Sequence, residues 1–122
     1  MNNSLIRKQI EQAGYNFAES FYVSWKEDKD SFVEDDQDEI WYKESSDENG
    51  NILKDVFEDI IYDRCCDVFY YIDTYPAFAS FCNDYNMNIP DDTLREIGGL
   101  DGVCDIMILG IEKFIEDTYQ NI

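Results

Sequence analysis

A chain of 122 residues suits one folded domain, and its eight Phe, nine Tyr and two Trp within 44% hydrophobic residues exclude a disordered acidic tail. Twenty-eight Asp and Glu face nine Lys and Arg, for a formal charge of −19. Such a surface repels nucleic-acid phosphates and anionic membranes and attracts cationic protein surfaces, so a direct nucleic-acid or membrane partner is not expected.

The first predicted element spans residues 4–25, where Ile6, Ile10, Ala13, Phe17, Phe21 and Trp25 follow one another at the steps of three and four that mark one helical face. Asn3 or Ser4 can cap its start. Gly14 leaves two readings open, one continuous helix or two shorter ones.

Residues 27–48 form an acidic window with eleven acids against two bases, net −9. Phe32, Val33, Ile40, Trp41 and Tyr42 punctuate it, which predicts that it packs back on the body. A short helix over 31–42 fits, and so does a hairpin over 39–54 turning at Asn49-Gly50, where positive φ is favoured.

Residues 52–72 carry a wide apolar stripe through Leu53, Val56, Phe57, Ile60, Ile61, Cys65, Val68, Phe69 and Ile72, which predicts a long amphipathic helix. Thr74 as cap and Pro76 in a first turn predict a helix over 75–85 with Phe78, Phe81, Cys82 and Tyr85 on its apolar face. Pro90, Asp91-Asp92 and a Thr93–Glu96 capping-box pattern mark a short helix ending at Gly98-Gly99. A last helix over 101–119 turns Val103, Met107, Ile111, Phe114 and Ile115 inward. The expected fold is mostly α, a compact single domain over 1–122 with four to five helices and room for a small hairpin near 39–54.

The start MNNSLIRKQIEQ lacks an apolar core followed by a small-residue cleavage site, and no apolar run approaches the roughly 18 residues of a membrane span. The expected location is the cytoplasm. Cys65, Cys66, Cys82 and Cys104 make no CxxC pair, and buried reduced thiols are expected. The absence of histidine removes the commonest general acid–base group and metal ligand. No GxSxG, Walker or GxGxxG pattern occurs, so no enzyme is expected. One calcium-loop register, with Ser45, Asp47 and Asn49 at the first, third and fifth positions and Gly50 at the sixth, puts Val56 where a bidentate Glu is required. No metal and no cofactor are expected.

The acidity itself is the remaining signal, because solubility needs a net charge of only about 2 to 8. Asp55, Asp59, Asp63 and Asp67 lie four apart on the long predicted helix, with Glu58 and Asp73 nearby. Each step advances roughly 6 Å, close to the spacing of phosphates along a nucleic-acid strand. Like charges at that spacing cost a helix a few tenths of a kcal/mol per pair, and Asp is a poor helix former, so uniform charge has been kept at the expense of local stability. The predicted partner contacts are this row and the cluster Glu34, Asp35, Asp36, Asp38 and Glu39. Tyr62, Tyr70, Tyr71, Trp41 and Tyr42 are either an exposed aromatic complement to those acids or the rim of the core.

In size, charge and lack of catalytic motifs the chain resembles, as a class, the small acidic inhibitors carried by phages and mobile elements, namely anti-CRISPR and antirestriction proteins. The resemblance transfers no residue, and those families share no common fold. It implies a DNA mimic that occupies the Lys/Arg groove of a CRISPR complex or restriction enzyme in a bacterial cytoplasm. An immunity protein or antitoxin capping a basic nuclease toxin, or an acidic adaptor, fits the same composition.

Overall fold

The computed structural model describes residues 3–72 and 74–119. Among them the chain forms six α-helices: α1 (Asn3–Glu27), α2 (Asp36–Glu44), α3 (Lys54–Tyr71), α4 (Tyr75–Asp84), α5 (Asp91–Glu96) and α6 (Gly99–Tyr119). A single 3₁₀ turn, Lys29–Ser31, follows α1. Mostly α is therefore the architecture, with more helices than the apolar periodicity indicates.

The most extensive packing joins α1 to α6. Tyr15 meets Phe114 edge-on, and Tyr22 meets both Phe114 and Tyr119, so positions rise together along the two helices and the pair is parallel. Gly14 does not break α1. A Cβ there would fall on the backbone carbonyl of Met107, and a Cβ on Gly110 would fall on that of Glu11. The glycines let two backbones touch, which their poor helix propensity would otherwise argue against. Ile6, Ile10, Ala13, Met107 and Ile111 are buried around this contact.

Helix α3 lies against the pair in the opposite direction. Its inner face, Phe57, Ile61, Cys65 and Phe69, steps by four and is buried. Phe57 is fully buried between Phe21, Tyr22, Phe114 and Tyr119. The Tyr119 hydroxyl donates to the Ile52 carbonyl at 2.7 Å, tying the end of α6 to the approach of α3, and burial pushes that phenol well above its ordinary pKa.

The termini of α4 and α5 show local chemistry at work. Thr74 Oγ1 accepts from the Ala77 amide at 3.2 Å and Pro76 sits in the first turn, as the sequence predicts. In α5, Pro90 occupies the capping position and Thr93 is buried inside the helix, so the helix starts ahead of the Thr93–Glu96 pattern that marked it in the sequence. Proline already fixes φ for a helix start. Phe81 packs on Phe69 of α3, and Tyr85 reaches Phe17 of α1.

Residues 28–53 follow the helix reading of the acidic window with shifted bounds, and not the hairpin reading. Helix α2 starts five residues later than the predicted 31, because Asp35 caps it. In place of a hairpin there is one antiparallel bridge, Ser46 to Ile52. Between them Asp47 Oδ1 accepts the amides of Asn49 and Asn51 at 2.8 and 3.0 Å, while Gly50 adopts φ of 84°. The Asp47 side chain thus satisfies the turn's own amides, and two backbone bonds, from the Asp47 amide to the Asn51 carbonyl and from the Leu53 amide to the Ser45 carbonyl, close the segment at 2.8 and 2.9 Å.

Candidate functional site

The window is built around Trp25. Tyr42 stacks on it with centroids 4.6 Å apart, Phe32 and Trp41 lie 4.9 and 5.2 Å away, and Trp25 Nε1 donates to Ser46 Oγ at 2.9 Å. The Tyr42 hydroxyl donates to the Trp25 carbonyl. Phe32, Val33 and Tyr42 thus pack on the body as expected, whereas Ile40 and Trp41 are 58% and 41% exposed. Tyr42 is buried and cannot belong to an exposed aromatic patch.

The structure brings the five predicted acids of the window together at the entrance to α2, but it gives several of them local work. Asp35 Oδ1 accepts the Asp38 amide at 2.8 Å, and Asp38 Oδ2 accepts the Glu34 amide at 3.0 Å. This reciprocal pair satisfies amides that the helix start leaves open. Negative charge on Asp36, Asp38 and Glu39 also suits the positive end of the helix dipole. Glu39 bonds Lys29 at 2.7 Å and lies 4.0 Å from Lys43. The hydrogen bond from Lys29 holds the Glu39 carboxyl below its ordinary pKa, and the same bond raises that of Lys29. Glu34 and Asp36 are exposed, and neither forms an ion pair among the described residues.

The α3 row is arranged differently. Asp55, Asp59, Asp63 and Asp67 are all exposed on the face opposite Phe57 and Ile61, and none has an ion-pair partner among the described residues. Of the bases on this helix, Lys54 pairs with Glu58 at 3.7 Å, and Arg64 lays its guanidinium over Phe21 at 4.6 Å and Phe32 at 5.7 Å. Arg64 therefore serves the contact between α3, α1 and the window, not the neutralisation of the row. No described hydrogen bond or ion pair joins the row to the window. Asp73 lies outside the described residues.

The end of α3 holds a feature that composition only hinted at. Tyr70 and Tyr71 are 80% and 75% exposed, with rings edge-on at 5.2 Å, whereas Tyr62 is half-buried. Tyr70 lines an open cavity of about 500 Å³ between α3 and α6, shared with Cys66, Phe69, Asp101, Cys104, Asp105 and Ile108. Leu109 is exposed on α6. The two Tyr stand at the last turn of α3, outside its apolar stripe, which is why their exposure, though not the cavity, could be read in the sequence.

All four cysteines are free thiols, but only Cys65 and Cys82 are buried, and Cys66 is exposed. Cys65 and Cys66 both interact with Cys104 on α6, which adjacency on a helix did not suggest. Burial raises the Cys65 and Cys82 thiols, and burial beside Cys66 pushes Cys104 up to about 11. Among the described residues no group of three or more His, Cys, Asp or Glu is arranged to hold a metal ion. No helix among them is long and apolar enough to cross a membrane.

No family model, no curated protein and no solved structure matches the chain.

Proposed function

We propose that the chain is a non-enzymatic inhibitor that occupies the basic nucleic-acid-binding surface of a partner protein, acting as a mimic of DNA. The observation that carries this reading is the row Asp55, Asp59, Asp63 and Asp67, which is exposed and without an ion pair among the described residues, on a helix whose own bases are engaged elsewhere. Carboxylates serving only solubility are usually interspersed with Lys, and Glu placed four residues before Lys supports a helix. Here like charges repeat at roughly 6 Å, and a groove of Lys and Arg shaped for phosphates can pair with them. Glu34 and Asp36 add charge from the window, with Asp35, Asp38 and Glu39 contributing field while they hold α2 in place. On this reading the target is a CRISPR complex or restriction enzyme in a bacterial cytoplasm.

A second reading, an immunity protein for a basic nuclease toxin, draws support from Tyr70 and Tyr71. Phosphates have no counterpart for exposed aromatic rings, whereas tight protein interfaces concentrate affinity in Tyr.

The test starts with a pull-down from host lysate, with nuclease and salt controls, and measures competition between the chain and duplex DNA for the recovered protein. Replacing Asp55, Asp59, Asp63 and Asp67 by Asn should weaken binding roughly tenfold or more and flatten its salt dependence. A partner that binds this variant as tightly as the wild type overturns the mimic. Tight capping of one small nuclease without competition by DNA selects the immunity reading.

A further inference from the structure

Among the described residues, three carboxylate-lined cavities differ in one respect. The one between α1 and α6 sets Glu11 and Asp117 beside Lys8 and Lys113. The one lower on α3 and α6 sets Glu58, Glu112 and Glu116 beside Lys54. The third, at the end of α3, holds Asp101 and Asp105 with an apolar floor of Phe69 and Ile108 and a wall of Tyr70, and no base lines it. Helix α3 also has no basic residue in its last turn, where carbonyl ends leave partial negative charge.

We propose that this groove takes an arginine side chain of the protein partner, with the guanidinium stacked on Tyr70 and paired with Asp101 and Asp105. The proposal rests on the acidic-surface reading above and names the partner chemistry at one end of it. Tyr70 follows Asp67 by three positions and Asp63 by seven, so its ring stands at the end of the Asp row on the same side of the helix.

The groove's three features select arginine among cations. A guanidinium is planar and weakly hydrated, so it can lie flat on a ring while its edge donates to carboxylates, whereas an ammonium keeps its water. The aromatic face is open, because Tyr70 is 80% exposed and meets Tyr71 at 86°, an edge-to-face pairing that braces one ring without covering both its faces. The aliphatic stem of arginine can use the apolar floor that a phosphate-like acidic row does not provide. The molecule already sets a guanidinium over an aromatic ring internally, Arg64 lying 4.6 Å from the Phe21 centroid.

The experiment titrates the intact chain into a short fluorescent arginine homopeptide and a lysine homopeptide of equal length, reading anisotropy. Tyr70→Ala should lower affinity for the arginine peptide about three- to tenfold and leave that for the lysine peptide nearly unchanged. Tyr70→Phe should behave as wild type, since the ring face is kept, and Trp41→Ala should change neither. Asp101→Asn with Asp105→Asn should weaken both peptides. If Tyr70→Ala changes both affinities equally or neither, or Trp41→Ala reproduces its effect, the groove is not an arginine site, and the acidic-surface reading stands. If the arginine effect of Tyr70 appears but the four Asp→Asn replacements of the row leave both peptides unaffected, the groove stands and the row is not a contact surface. Binding of neither peptide at low salt overturns both.

Discussion

The two acidic regions of this molecule put their carboxylates to opposite use. In the window, Asp35 and Asp38 cap α2, Glu39 bonds Lys29, and Asp47 closes the turn to α3. Along α3, four aspartates make no ion pair among the described residues and cap nothing, on a helix already held by Phe57, Ile61, Cys65 and Phe69. A cluster of acids can therefore be part of how a segment folds, whereas a row on the outside of an independently anchored helix is available for something else. What separates the two is how many local amides and bases each carboxylate serves.

Trp25→Ala should break the comparison most severely, because the window hangs on that ring. Loss of a fully buried Trp costs about 3–5 kcal/mol, and here it also removes the platform for Phe32, Trp41 and Tyr42. Urea unfolding followed by near-ultraviolet circular dichroism should show a much lower midpoint. A change below about 1 kcal/mol would mean that the window is anchored elsewhere.

A smaller effect sharpens the contrast between caps and row. Asp35→Ala should destabilise the protein by about 1 kcal/mol, while Asp35→Asn, which keeps a capping oxygen, should be close to neutral. Asp59→Asn with Asp63→Asn should instead leave stability unchanged or raise it by a few tenths of a kcal/mol, through relief of like-charge repulsion. Thermal denaturation of the three variants at low salt checks the sign, and destabilisation by the row variant would place those aspartates in structural work.

The smallest effect is the pH dependence of the Lys29–Glu39 bond. Glu39 is depressed in the folded state, so its contribution is present above its ordinary value of 4.5 and lost as the pH falls through the lower folded value. Lys29 is raised, so its contribution is present below 10.5 and lost as the pH rises beyond it. The difference in melting temperature between wild type and Glu39→Gln should be flat between those limits and close at acid pH. A difference that instead varied through neutral pH would assign it to other groups.

Periodicity made α1, α3, α4 and α6 legible, because each carries a buried stripe that repeats at helical steps. It left Gly14 open and misplaced the boundaries in the window, for different reasons. A glycine that ends a helix and one that admits a neighbouring backbone look alike until the neighbour, Met107, is in place. In the window the start of α2 was decided by which of several aspartates bonds which amide, a choice among chemically identical side chains. The row on α3 was readable from its four-residue spacing, and its exposure followed once Phe57 and Ile61 were assigned inward. The Tyr70 groove was not readable, since Asp101 and Asp105 reach it from α6, some thirty residues away along the chain.

The parallel pairing of α1 with α6 has a consequence for how the chain is made. Gly14 meets Met107 across nearly the whole sequence, and α6 leaves the ribosome after the other five helices. Until then the flank of α1 carrying Ile10, Ala13 and Gly14 has no lasting cover, and a nascent chain lacking α6 exposes it. Stalling or cleavage ahead of residue 99 should therefore leave a fragment that is captured by chaperones or proteases, not a smaller folded unit.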